Sequence, residues 1–136
     1  MASVHLQSST GYVQQIQARS HQLQADEPLD NGGTDSGPAP YELLLAGLAA
    51  CTSLTLRMYA DRKQWELGLI DVRLRFSRDE QGRERIDRTV AFGASLSPEQ
   101  IGRLGEICEK TPVTKTIRQG TEILTTLNPA RLEPHA

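Results

Sequence analysis

From Leu43 to Leu56 the chain holds no charged residue, and only Gly47, Thr52, Ser53 and Thr55 interrupt its apolar side chains. Pro40 suits a first helical turn, Glu42 complements the positive end of a helix dipole, and Arg62 and Lys63 sit where its negative end would fall. The pattern predicts one long helix from Pro40 to about Lys63. The pattern then changes period. Ile70, Val72, Leu74 and Phe76 alternate with polar residues, as do Val90, Phe92, Ala94 and Leu96, with RDEQGR between the two runs. That is an antiparallel hairpin with one buried face.

Ser97, Pro98 and Gln100 supply an N-cap, a first-position proline and a capping-box residue. They start a helix with Ile101, Leu104 and Cys108 along one side. Thr111-Pro112 ends it and opens a short helix, PVTKTIRQ, which Gly120 stops. TEILTTL then reads as a closing strand and NPARLEPHA as a tail. Before the long helix, short β-friendly stretches between Ser3 and Pro28 are broken at Thr10-Gly11 and Arg19-Ser20, which predicts two or three antiparallel strands. LDNGGTDSGPAP follows. Its Gly-Gly lacks the Gly-Lys-Ser/Thr of a phosphate loop, so it reads as a flexible surface connector.

Runs of strands and helices, without strict alternation, predict an α+β fold with helices against antiparallel sheet. No repeat or low-complexity segment divides residues 1–136, so one domain is expected. The long helix adds a constraint. A helix apolar nearly all round must be covered nearly all round, and so short a chain has little material to wrap it. A second copy is the expected wall, making a homodimer centred on this helix.

Charge narrows the partners. With 15 Lys+Arg against 17 Asp+Glu, the chain gives no reason to expect nucleic acid. The start, MASVHLQSST, lacks the pattern of a signal peptide. The apolar stretch Leu43–Leu56 is shorter than the ~20 residues that span a bilayer, so no membrane is expected. Cys51 and Cys108 then read as reduced thiols in the cytoplasm.

His5, His21 and His135 are scattered and neither cysteine has a Cys-x-x-Cys partner, which implies no metal and no cofactor. No glycine-flanked serine elbow appears. The two thiols remain, and by burial statistics each is more often inert core than nucleophile. Cys51 lies mid-helix, where its own helix dipole gives little help. Glu42, nine residues earlier, would lie on the opposite face and over ~10 Å away along the axis. Any group that activates Cys51 must come from elsewhere.

DEP, NGG, GPAPYELLLAGLAACTSLTLRMYADRK and EKTPVTKTI, in that order, resemble the OsmC/Ohr family of osmotically inducible and organic-hydroperoxide-resistance proteins. The resemblance runs from about Tyr12 to Leu127. It implies an intertwined α+β homodimer with long central helices at its interface. It also implies thiol-dependent reduction of organic hydroperoxides. Cys51 matches the cysteine that attacks the peroxide and becomes a sulfenic acid. A second cysteine condenses with it to a disulfide, which a dithiol such as a protein-bound lipoyl group reduces.

The chain departs from that pattern at three places. The family's second cysteine directly precedes Pro-Val, and here that position is Thr111, which offers a cap hydroxyl. Cys108, three residues upstream, is the substitute candidate. The family's glutamate directly follows the proline, where this chain has Tyr41, with Glu42 next. The arginine expected in the loop after the first strand is absent from LQSSTGY, and Arg19 comes at a later turn. The expected site is therefore Cys51, Cys108 and Glu42. Two alternatives stay open beside the peroxidase: a non-catalytic dimer that binds an apolar small molecule in its interface pocket, and a general thiol-redox protein.

Overall fold

The computed structural model describes residues 1–130, 132 and 133. The chain divides into two compact units, one built from Met1–Leu43 with the segment from Ile123 onward, the other from Leu44–Glu122. The architecture is α+β with antiparallel sheets, as the runs of strands and helices predict.

In the first unit β1 (His5–Gln7), β2 (Gln14–Ala18) and β3 (His21–Ala25) pair antiparallel in that order. The turns fall where the sequence placed them: Gly11 has φ +64° and Arg19 φ +54°. One 3₁₀ turn, Leu29–Asn31, follows and ends at Gly32 with φ +87°.

The segment after it is not the loose connector expected from composition. Asp26 is buried and gathers it. Asp26 Oδ1 accepts the Glu27 N–H at 2.7 Å, and Oδ2 accepts from the Thr34 and Ser36 hydroxyls at 2.6 and 2.7 Å and from their N–H groups at 3.3 and 3.1 Å. The chain packs so closely that a Cβ on Gly33 would lie 2.0 Å from the Glu27 carbonyl oxygen. Only glycine fits. A Gly-Gly pair signals freedom in isolation, but here it permits a tight return.

The long helix α1 spans Pro40–Lys63, with the bounds its caps and charges predict. Leu48, Thr52, Leu56 and Ala60 are buried, four residues apart, so a single stripe faces the core. Leu44, Leu54 and Met58 are exposed. The apolar run also extends beyond the Leu43–Leu56 stretch. An 18-residue window of the helix has mean hydropathy 1.4, enough by length and composition to cross a membrane, with 22% of it buried within the chain. Arg57 ends the uncharged stretch at Leu56, and the longer window passes because Met58, Tyr59 and Ala60 beyond that single charge are again apolar. Core helices pass the same test, and the buried stripe of α1 packs in a protein core.

In the second unit β4 (Ile70–Arg78) and β5 (Glu84–Phe92) form the expected hairpin, with Val72 opposite Val90 and Phe76 opposite Ile86. β5 stops at Phe92, short of Leu96. Gly93 and Ala94 donate their N–H groups to the carbonyls of Leu69 and Leu67, which turns the chain toward the next helix. That helix, α2 (Pro98–Cys108), begins with both halves of the capping box: Gln100 N–H to Ser97 Oγ at 3.1 Å, and Ser97 N–H to Gln100 Oε1 at 2.9 Å. Leu104 and Cys108 are buried, but Ile101, expected on the same side, is exposed. α3 (Pro112–Gln119) ends at Gly120 with φ +74°. Leu56, Ala60, Leu67, Leu104 and Cys108 form the core, flanked by Tyr59, Trp65, Ile70, Val90, Phe92, Leu96 and Ile107.

The closing strand predicted for TEILTTL does not form. Residues 121–127 carry no regular structure, and Ile123, Leu124 and Leu127 are 84%, 85% and 89% exposed. β-propensity becomes a strand only when another strand offers its N–H and C=O groups, and among the described residues this segment pairs with no strand. Of the three histidines considered as ligands, His135 lies outside the described residues.

Candidate functional site

The local rules that build α1 place Cys51 one residue before the buried Thr52, so its thiol projects about 100° round the helix from the core stripe. Cys51 is half-buried, and its Sγ lies 4.0 Å from the Thr55 hydroxyl one turn on. Exposed Leu44, Leu54 and Met58 occupy neighbouring positions on this side of the helix.

Cys108 has a different setting. It ends α2 inside the core cluster with Leu56 and Ala60, and Cys51 does not belong to that cluster. Both thiols are free. Burial pushes the Cys108 thiol above its ordinary range. The Arg88 guanidinium pulls the other way, and the Glu109 carboxylate reinforces the rise.

Glu42, in the first turn of α1, spends its carboxylate locally: Oε1 accepts the Ala39 N–H at 2.8 Å, closing the start of its own helix. Thr111 is the N-cap residue of α3, but its hydroxyl does not cap. It is fully buried and lies 2.6 Å from the Thr114 hydroxyl, having traded a backbone N–H partner for a side-chain one.

Around these threonines the structure assembles a polar cluster that the sequence pattern did not single out. Arg88 on β5 donates through Nη1 to Thr52 Oγ1 and Thr114 Oγ1, each at 2.9 Å, and through Nη2 to the Cys108 carbonyl at 2.9 Å. Thr52 in turn donates to the Leu48 carbonyl at 2.8 Å. One guanidinium thereby joins the turn of α1 after Cys51, the end of α2 and the first turn of α3. A signal for it was present. In Ile86, Arg88, Val90 and Phe92 the inward-facing row of β5 is apolar except at Arg88.

Among the described residues no cluster of three or more His, Cys, Asp or Glu could hold a metal ion. The candidate groups are two thiols, a carboxylate committed to a helix start, and a buried hydroxyl–guanidinium cluster.

The family profile for OsmC-like proteins matches residues 33–126, a span that includes Cys51, Arg88, Cys108 and Thr111. The chain belongs to the OsmC-like family. Solved structures agree at the level of fold. The OsmC-like protein from Mycoplasma pneumoniae is 18% identical with a TM-score of 0.75, covering 87% of this chain and 87% of that one. The organic hydroperoxide resistance protein OhrB of Bacillus subtilis is 24% identical with a TM-score of 0.61, covering 87% and 90%. The organic hydroperoxide resistance protein OsmC from Legionella pneumophila is 16% identical with a TM-score of 0.65, covering 87% and 89%. No curated protein matches the chain. Within this OsmC-like chain, then, the long helix α1 bears Cys51, and Thr111 holds the position directly before Pro112-Val113.

Proposed function

We propose that this OsmC-like protein is a thiol-dependent peroxidase that reduces organic hydroperoxides in oxidative-stress defence. The whole chain acts as one OsmC-like domain in a cytoplasmic homodimer. The observation that carries the reading is the setting of Cys51: half-buried at the middle of α1, on a side whose apolar neighbours Leu44, Leu54 and Met58 lie uncovered by their own chain. A second copy laid on that side would exclude water from the thiol. The names of the Bacillus and Legionella structures support the substrate class.

In the proposed reaction the Cys51 thiolate attacks the terminal oxygen of the hydroperoxide. The O–O bond breaks, the sulfur becomes a sulfenic acid, and the departing alkoxide takes a proton to leave as an alcohol. A thiol then condenses with the sulfenic acid, releasing water and forming a disulfide, and an external dithiol reduces it through exchange. Cys108 is the internal candidate for that second thiol, and Glu42 the carboxylate at the start of the helix that bears Cys51.

Cys51→Ser tests the reading. We expect it to abolish hydroperoxide consumption in the presence of a dithiol, and to remove the sulfenic acid trapped after a stoichiometric peroxide pulse. Undiminished consumption by the variant would move the chemistry away from Cys51.

A second reading, binding of an apolar small molecule, draws on one feature. A cleft of about 760 Å³ in the first unit is lined by Leu6, Tyr12, Ile16, Ala25, Pro40 and Leu43, together with Gln14, Asp26, Glu27 and Asn31. Its size suits a small ligand, and neither thiol lines it. A wild-type protein that never forms a sulfenic acid, yet takes up an apolar fluorescent probe that Leu43→Trp displaces, would favour this reading.

A further inference from the structure

Arg88 is a cation on the inward face of β5, opposite Leu74 and between Ile86 and Val90 in its row. Arg73, Arg78, Arg83, Arg85, Arg103 and Arg118 form ion pairs with carboxylates, and Arg88 takes part in none of these. Its charge meets only neutral oxygens: two buried hydroxyls and one carbonyl. Surface pairs of the kind the other arginines make contribute little. Placing a cation among apolar neighbours without a counter-charge costs folding energy unless its hydrogen bonds are made. An uncharged side chain could pack the same position without that cost.

The three acceptors come from three elements, α1, α2 and α3, and each accepts from this guanidinium. Thr52 stands 36 residues before Arg88, Cys108 stands 20 after it and Thr114 stands 26 after it. Thr111 joins through its 2.6 Å contact with Thr114. Thr114 also leans toward the Cys108 carbonyl, at 3.4 Å. The cluster therefore ties the residue after Cys51, the backbone of Cys108 and the buried hydroxyl of Thr111 to one rigid donor.

We infer that Arg88 is a positioning residue for the thiol site: it clasps the α2–α3 junction to the Cys51-bearing turn of α1 and brings a positive charge to Cys108. This rests on the peroxidase reading only for its purpose. The clasp itself is a property of the reduced protein. Arg88 is not the arginine that the family resemblance called for, which would lie in the loop after the first strand. It reaches the site from a different strand and contacts the second-thiol segment. The Coulomb attraction of Arg88 for a Cys108 thiolate, set against the burial of that thiol, agrees with the geometry.

The charged groups that face Cys108 are few. Arg88 reaches it from β5 and Glu109 from its own segment, and the α1 residues in its cluster, Leu56 and Ala60, carry no charge. That makes the contribution of Arg88 separable. The experiment is the pH dependence of Cys108 alkylation by iodoacetamide in the native reduced protein, read by mass spectrometry for wild type, Arg88→Gln and Arg88→Lys. No peroxide is present, so a protein without peroxidase activity tests the inference equally well.

Loss of the clasp should raise the limiting rate at high pH at least about threefold, because the junction opens more often. Loss of the charge should also raise the midpoint of the profile by about one pH unit in Arg88→Gln. Arg88→Lys should restore the midpoint but not the limiting rate, since an ammonium carries the charge without the fixed fork. A midpoint that stays put in Arg88→Gln would overturn the inference and leave Arg88 a packing residue. If Arg88→Gln does not fold, Thr114→Val removes one acceptor at nearly constant volume. It should speed both amide hydrogen exchange across residues 108–114 and Cys108 alkylation. Unchanged rates there would equally overturn the clasp.

Discussion

The Thr111 hydroxyl lies 2.6 Å from the Thr114 hydroxyl, and both residues are buried. The position where the family resemblance calls for a second cysteine is thus built into the Arg88 cluster as a hydrogen-bonded hydroxyl. Cys108, the nearest thiol, is packed into the core with Leu56 and Ala60.

Thr111→Cys is the corresponding test. The variant should lose about 1 kcal/mol with the hydroxyl contact, lowering Tm by a few degrees. It would gain a thiol at the start of α3, where the helix end and Arg88 favour the thiolate against the burial of the position. After a peroxide pulse, wild type should form a Cys51–Cys108 disulfide slowly or not at all, with the sulfenic acid persisting or overoxidising. The variant should form its new disulfide quickly and turn over faster with a dithiol. Mass spectrometry of quenched samples decides this, and rapid Cys51–Cys108 bonding in wild type would show that Cys108 already resolves.

The two sides of α1 should respond differently to charge. Leu48 is buried within its own chain, so Leu48→Asp should prevent folding, at several kcal/mol for a buried carboxylate. Leu54 is 57% exposed in the single chain. If a second copy covers it, Leu54→Asp should leave the circular dichroism of the fold in place while abolishing dimers at low micromolar concentration in sedimentation velocity. A compact wild-type monomer under the same conditions would defeat the homodimer proposal.

Asp26 predicts an acid limit to stability. Hydrogen bonds from the Thr34 and Ser36 side chains, joined by backbone N–H groups, hold its carboxyl well below the usual carboxylate range against the opposing effect of burial. A group with a depressed folded-state pKa contributes fully above its unfolded value, about 3.9, and loses that contribution as pH falls toward the folded value. Wild-type Tm should therefore drop steeply below about pH 4. Asp26→Asn cannot accept all these donors. It should melt at least about 5 °C lower at pH 7 and show a shallower fall between pH 4 and 2.5. Parallel curves for the two proteins would remove Asp26 as the cause.

What the sequence determined by itself was everything carried by neighbours along the chain. The bounds of α1 follow from Pro40, Glu42 and the closing cations, the capping box from Ser97 and Gln100, and the β4–β5 hairpin from its period-two alternation. Each is enforced within a few residues, so it survives without knowledge of the rest. The words around Cys51 and Pro112-Val113 likewise carried the family.

What only the tertiary structure decided was where polar groups far apart in sequence meet. Asp26 turns a glycine-rich loop into a fixed return because donors eight and ten residues on converge upon it. Arg88 interrupts an apolar row, and its meaning appears only when Thr52, Cys108 and Thr114 arrive from three other elements. The strand expected of TEILTTL failed for the same reason. A helix closes its hydrogen bonds within itself, whereas a strand needs a partner that its own residues cannot specify.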